Sequence, residues 1–267
     1  PPPRLPPLFV AKGNCEAGLS SHHHISTFPG VEQADAPVAC WLLAPSVYNA
    51  GIMPYKFIIF DLDDTLYPRD DGLMGEVGRR IQAWLCEYLD LSWEEAVVLR
   101  RKYYHQYGTT LGGLLAEHEG IDAHGYLVYV HDIPLEEYIG PKPALRAMLE
   151  SIPLRRVIYT NATAEYAWRV LGVLGVAGHF EDVVGIEDVG LLNKPYQEAY
   201  ERVLVRLDAW GPECIMVEDS ARNLNPAKAL GMTTVLVDSA PDWSVDYVVE
   251  DVLQVSQVVS KVLKDAD

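Results

Sequence analysis

The sequence predicts an α/β fold, a parallel sheet with helices on both faces and an inserted helical cap, and three observations carry that prediction. From Met53 onward, short β-rich runs alternate with helical patterns, as in a parallel sheet flanked by helices. Several of the runs are continuously apolar, the pattern of strands buried on both faces. Between the first two runs lies an insertion of roughly 90 residues with helical patterns throughout, too much for a single crossover.

The elements follow in order. The first 52 residues, with Pro1, Pro2, Pro3, Pro6, Pro7, Pro29, Pro37 and Pro45, show no sustained period and read as a disordered N-terminal extension. The apolar stretch Ala36–Tyr48 is broken by prolines and lacks a basic segment ahead of it, against a secretory signal. His22-His23-His24 reads as a solvated accident. Met53 stands just before the first apolar run, and the functional protein is expected to begin there. Strands are expected at Lys56–Phe60, Arg156–Tyr159, Asp182–Gly185, Cys214–Val217, Thr233–Val237 and Tyr247–Val249. Inserted helices are expected at Gly72–Tyr88, Ser92–Gly108, Leu111–His118 and Leu135–Glu150, with a final helix near Val252–Leu263 packing back on the sheet. Residues 53–67 and 141–267 then form the core and 68–140 the cap, placed over the carboxyl ends of the strands, where open α/β sheets bind ligands.

Composition narrows the partners. With 38 acidic against 21 basic side chains the formal charge is −17, which repels a nucleic-acid polymer. No apolar run is long enough to span a membrane as a helix. The four cysteines, Cys15, Cys40, Cys86 and Cys214, form no ligand-like spacing and suit a reducing cytosol, so a cytoplasmic protein is expected.

The chemistry sits at predicted strand ends. In Phe60-Asp61-Leu62-Asp63-Asp64-Thr65, two carboxylates two residues apart converge on one small volume, and they repel unless a cation lies between them. A hard cation such as magnesium, held by oxygen ligands, resolves that conflict and grips a substrate phosphate. Asp61 then serves as a nucleophile and Asp63, its side chain off the metal, as general acid and base. An ordinary Asp-rich turn would look the same in isolation. After the second strand, Thr160 and Asn161 offer a hydroxyl and helix-start N–H groups to a phosphoryl oxygen, or merely cap the helix, as Thr163 also could. Lys194 precedes a helix expected to start at Pro195 and can neutralise phosphate charge. Glu218 and Asp219 bring two more carboxylates to the sheet edge, with Asp219 the further metal ligand, Glu218 in or near the shell, and Asn223 orienting their loop.

Taken together, the order Asp61/Asp63, Thr160, Lys194, Asp219 resembles the four signature motifs of the haloacid dehalogenase superfamily, across essentially Met53 to the C-terminus. The resemblance implies a Rossmann-like core with a cap and a magnesium site drawing on Asp61, Asp63, Asp219 and Glu218. It further implies an aspartyl-phosphate intermediate on Asp61 and hydrolysis assisted by Asp63, with Thr160 and Lys194 among the catalytic residues. The insertion looks like the family's helical cap of the first type. Members that cleave carbon–halogen bonds lack the second aspartate and the metal, so retention of Asp63, Thr65 and the Glu218-Asp219 pair disfavours a dehalogenase.

The segment Tyr103–Leu114, with Tyr129-Val130-His131-Asp132 and Leu66-Tyr67-Pro68, resembles the pyrimidine 5'-nucleotidase branch. Tyr104, Tyr107 and Thr109 offer ring faces and hydroxyls to a base and ribose, although such tyrosines also pack on neighbouring helices. His105, His118, His124 and His131 lack zinc-like spacing. The expected activity is hydrolysis of a small-molecule phosphate ester, a nucleoside 5'-monophosphate such as UMP or CMP. The alternatives are a phosphatase or mutase for a small sugar phosphate or phosphoglycolate, and a non-catalytic phospho-ligand binding protein.

Overall fold

The structure is a computed structural model that describes residues 55–266 apart from 239, 241 and 243. The expectations for residues 1–52, for His22-His23-His24 and for a start at Met53 lie outside the described residues, as do Cys15 and Cys40.

Six parallel strands form one sheet: β1 (Phe57–Phe60), β2 (Arg155–Tyr159), β3 (Asp182–Val184), β4 (Cys214–Glu218), β5 (Thr233–Val237) and β6 (Tyr247–Val249). Their order is β3-β2-β1-β4-β5-β6, so the chain reverses its direction of winding at β1. A crevice opens there, outside the carboxyl ends of β1, β2 and β4. Successive side chains of β1 enter opposite cores. Ile58 and Phe60 pack with α5 (Pro143–Glu150), α6 (Ala164–Leu174) and α9 (Val255–Ala266), whereas Phe57 and Ile59 pack with α7 (Gln197–Leu207) and α8 (Ala221–Ala229). Burial on both faces is why these strands read as unbroken apolar runs.

Between β1 and β2 lie the inserted helices α1 (Leu73–Leu89), α2 (Trp93–Tyr107), α3 (Thr110–Glu117) and α4 (Ala123–His131). They share a core of their own around Trp84, Leu85, Tyr103, Leu114, Tyr126 and Leu127. Ser92 and Glu95 form a reciprocal capping box at the start of α2, satisfying two backbone donors. Gly108 ends α2 with φ 88°, and a Cβ there would lie 2.5 Å from Asn193 Nδ2 and 2.7 Å from the Lys194 carbonyl. Only glycine lets the cap approach the core so closely at that turn.

Two expectations are corrected. The helix expected over Leu135–Glu150 is a 3-10 turn at Leu135–Glu137 and a separate α5, because Pro141 and Pro143 remove the donors a continuous helix needs and Pro143 instead starts α5. Helix α4 was not anticipated. Its β-branched and aromatic residues and Gly125 disfavour a helix locally, and it forms on the Asp122 cap, bonded by the Gly125 N–H at 2.9 Å, and on burial of Tyr126, Leu127 and Val130. The C-terminal helix begins as a 3-10 turn at Val252–Gln254 and buries Val255, Val259 and Val262. No helix among the described residues is long and apolar enough to cross a membrane.

Candidate active site

A cavity of about 750 Å³ lies over the carboxyl ends of β1, β2 and β4, floored by the core and walled by α1, α2 and α4. Asp61, Thr160, Lys194, Glu218 and Asp219 all line it.

Asp61 follows β1 directly, its N–H bonded to the Val217 carbonyl at 2.9 Å, so its carboxylate leaves the sheet edge in a fixed direction. Asp61 Oδ2 accepts from Thr65 Oγ1 at 2.9 Å and Oδ1 from Lys194 Nζ at 2.6 Å. The same ammonium donates to Glu218 Oε2 at 2.6 Å and to the Tyr159 carbonyl at 3.2 Å. Lys194 and Glu218 are each 1% exposed. Asn223 Nδ2 donates to the other Glu218 oxygen at 2.9 Å, which holds that carboxylate as expected for an orienting residue.

Burial alone would lower the Lys194 ammonium, but the Asp61 and Glu218 carboxylates outweigh it and hold the lysine charged well beyond its ordinary range. Burial pushes both carboxyls up, Glu218 far above its usual value, because two buried anions share one ammonium. Oxygens of Asp61, Glu218 and Asp219 lie within 4.8 Å of one another. Asp64, set in the left-handed region at φ 60°, adds a carboxyl whose Oδ1 is buried without a hydrogen-bond partner. Burial, then Asp219, pushes Asp64 up to about 6. An all-oxygen, over-negative donor set with an unsatisfied carboxylate oxygen beside it fits a hard divalent cation. Arg69 reaches this corner, bonding Asp219 and standing 3.4 Å from Asp64.

The Asp63 side chain stands outside that carboxylate group. The turn that follows β1 carries it instead toward Tyr67 and Tyr166, whose hydroxyls both donate to Oδ1, that of Tyr166 at 3.3 Å. Burial, then Asp61, pushes the Asp63 carboxyl up to about 7. Tyr166 stacks on His131 with centroids 4.4 Å apart, and burial lowers that imidazole to about 4, so it packs as a neutral ring.

Thr163 caps α6, accepting from the Tyr166 N–H at 3.2 Å, which leaves Thr160 and Asn161 outside the helix. Thr160 Oγ1 accepts from the Ala162 N–H at 3.0 Å. Asn161 Oδ1 accepts from the Lys194 N–H at 2.7 Å, tying the loop after β2 to the loop that delivers the lysine. The helix expected to start at Pro195 begins at Gln197, after Tyr196, which stands in extended conformation as its N-cap. Ser220 precedes α8 without a side-chain cap bond, and of the acidic pair before it Glu218 bonds Lys194 and Asn223 while Asp219 bonds Arg69.

The cap residues divide. Tyr104 and Thr109 line the cavity, whereas Tyr107 does not: its hydroxyl donates to Glu117 at 2.9 Å on the far side of α2. Thr109 caps α3, accepting from the Gly112 N–H at 2.9 Å. Several contributors escaped sequence reasoning. Tyr166 sits on a helix whose start alone was considered, and Asn193, donating to the Tyr107 carbonyl at 2.9 Å, carries no motif beyond standing next to Lys194. Arg69 and Arg100 were visible only as charges.

Comparison with known proteins adds the family. The haloacid dehalogenase-like hydrolase family matches residues 55–231. Glyceraldehyde 3-phosphate phosphatase of Methanocaldococcus jannaschii is 27% identical over 231 residues, covering 79% of this chain and 99% of that protein. The glyceraldehyde 3-phosphate phosphatase of Methanopyrus kandleri is 28% identical over 220 residues, covering 72% and 93%. Among solved structures, an HAD phosphatase from Thermococcus onnurineus superposes with a TM-score of 0.51 at 22% identity, covering 76% of this chain and 97% of that one, which shows a shared fold. With the matched residues running through Asp61, Thr160, Lys194 and Asp219, the chain belongs to the haloacid dehalogenase-like hydrolases.

Proposed function

We propose that this chain is a magnesium-dependent phosphatase that hydrolyses small phosphomonoesters through an aspartyl-phosphate on Asp61. The observation that carries the reading is the Asp61 carboxylate at the carboxyl end of β1, paired with the Lys194 ammonium at 2.6 Å, with Asp63 two residues on and pushed up to about 7. The lysine partner favours the ionised form of Asp61, and the raised Asp63 can hold a proton near neutral pH, as a nucleophile and a general acid require.

Asp61 attacks phosphorus as the ester P–O bond breaks, and protonated Asp63 gives its proton to the departing oxygen. Asp63, now a carboxylate, takes a proton from the water that attacks phosphorus next, which frees inorganic phosphate and restores Asp61. Tyr67 and Tyr166 keep Asp63 aimed in both steps. Thr160 and Lys194 line the phosphoryl position, and Lys194 offsets charge developing on the transferred group. Magnesium held by Asp61, Asp219 and Glu218 would supply further neutralisation of the phosphoryl oxygens. Core at 53–67 and 141–267 with cap at 68–140 is the division we propose around this site.

For the substrate, the two archaeal relatives favour a small sugar phosphate. Tyr104 and Thr109 on the cavity wall favour the second reading, a nucleoside 5'-monophosphate such as UMP or CMP. A panel of p-nitrophenyl phosphate, glyceraldehyde 3-phosphate, UMP and CMP, with magnesium and with EDTA, decides among these. Metal-dependent turnover of the sugar phosphate is expected; activity undiminished by EDTA would overturn the metal assignment.

A further inference from the structure

Helix α4 ends against the core helix α6, and two residues of α6 hold it there. Arg169 donates to the His131 carbonyl at 3.1 Å and to the Ile133 carbonyl at 2.8 Å, engaging carbonyls at and just beyond the helix end, where intrahelical donors run out. Three residues back on the same face of α6, Tyr166 lays its ring on the His131 imidazole, the two planes 23° apart. His131 and Tyr166 are both buried. His131 belongs to the run Tyr129-Val130-His131-Asp132, to which the proposed reaction gives no task.

Tyr166 in turn reaches the general acid. Its hydroxyl donates to Asp63 Oδ1 at 3.3 Å, longer than the usual O–H···O bond, so a small shift of the ring decides whether the bond is made. Tyr67, the other donor, stands four residues from Asp63 on the segment that follows β1 and moves with it. Tyr166 comes from α6 instead, and it ties Asp63 to the docked end of α4. The chain of contact runs unbroken from Arg169 through His131 and Tyr166 to Asp63.

We infer that His131 is a positioning residue for the acid step: docked on α6 by Arg169, its ring fixes Tyr166, and Tyr166 holds Asp63 where its proton passes to the departing oxygen as the P–O bond breaks. The inserted helices thereby complete chemistry that the core begins, and α4 has to be seated for the acid to work. This rests on the phosphatase reading.

The test uses the full chain with magnesium and two esters of nearly one shape, 4-nitrophenyl phosphate and 4-nitrobenzyl phosphate. The nitrophenolate departs without a proton whereas the benzyl alkoxide needs one, so kcat/KM for the pair separates the acid step from binding and from metal chemistry. His131→Leu, which keeps the bulk and loses the flat ring, should lower kcat/KM for the benzyl ester about tenfold more than for the phenyl ester, part of what a general acid supplies. Tyr166→Phe should do the same, and the double variant should fall no further than the worse single one. His131→Phe, with a ring to stack, should keep the parent's ratio. Equal losses for the two esters in His131→Leu would mark a merely structural role, and additive losses in the double variant a direct contact with substrate. Either result would overturn the inference, as would a ratio unmoved in Tyr166→Phe, even where His131→Leu fails to fold, or a parent that cleaves the phenyl ester alone. A parent that cleaves neither ester removes the phosphatase reading and the inference with it, whereas turnover of both with an unmoved ratio removes the inference only.

Discussion

The floor and the wall of the cavity are built on opposite principles. On the floor, Asp61, Lys194, Glu218, Thr65 and Asn223 are joined in one hydrogen-bonded network, with the lysine 1% exposed. On the wall, Tyr104 is 51% exposed and Arg100 makes no side-chain hydrogen bond or ion pair among the described residues. A floor whose donors and acceptors are spent on one another is fixed in its geometry, and in the proposed reading it meets only the phosphoryl group that all esters share. A wall with unspent donors can. Under the proposed function, the difference places chemistry and selectivity in separate structural layers.

Substitutions on the floor should therefore strike rate or stability, and those on the wall, His131 excepted, only substrate preference. The largest effect is expected from Asp61→Asn, which should lower phosphate release by about a thousandfold or more while circular dichroism stays native, since the nucleophile is lost. Substantial residual turnover would refute the covalent step.

Asp63→Asn comes next, with a loss of about a hundredfold or more in kcat. It also carries a pH signature. The Asp63 carboxyl is raised from 3.8 to about 7, so the folded protein binds more protons than the unfolded chain between those values. Stability in metal-free protein accordingly falls as pH rises through that window, the sign for an acid whose folded value is raised. The asparagine variant should lack this component and be more stable than its parent at pH 7.5 by about 1–2 kcal/mol, read from denaturant melts across pH.

Lys194→Met should cost about 3–5 kcal/mol, because two buried carboxylates lose their shared ammonium. Pairing it with Glu218→Gln should recover part of that loss; no recovery would mean that the network is not the source of the stability. On the wall, Tyr104→Ala should raise KM about three- to tenfold with kcat held, the scale of one aromatic contact. Tyr107→Phe, which removes only a bond to Glu117 away from the cavity, should leave both constants within about twofold. An equal response from the two tyrosines would erase the distinction drawn here between a lining and a packing residue.

The two layers differed in legibility as well. The strand ends were readable because a continuously apolar run has to stop where the sheet does, so Asp61, Thr160 and Glu218 were expected at a common edge. Thr233–Val237 and Tyr247–Val249 lie where the apolar runs put them. Helix α4 was not readable, because its stability comes from burying Tyr126, Leu127 and Val130 against other cap helices and not from local preference. Tyr107 was grouped with Tyr104 for the same reason. Three residues apart on a helix, they look alike in sequence, and only packing decides which one faces the cavity.

By itself, then, the sequence determined that an acidic cluster would gather at the carboxyl edge of a parallel sheet, since strand period and termination are local properties of the chain. Tertiary structure alone decided that Lys194 would bridge Asp61 and Glu218 across sequence separations of 133 and 24 residues, and that Asp63 would turn to two tyrosines instead of joining the other carboxylates. It alone decided too that Arg100 would be seated against Gly78. These contacts depend on which helix faces settle against one another, and burial, the quantity that raises Asp63 and constrains Arg100, exists only once they have.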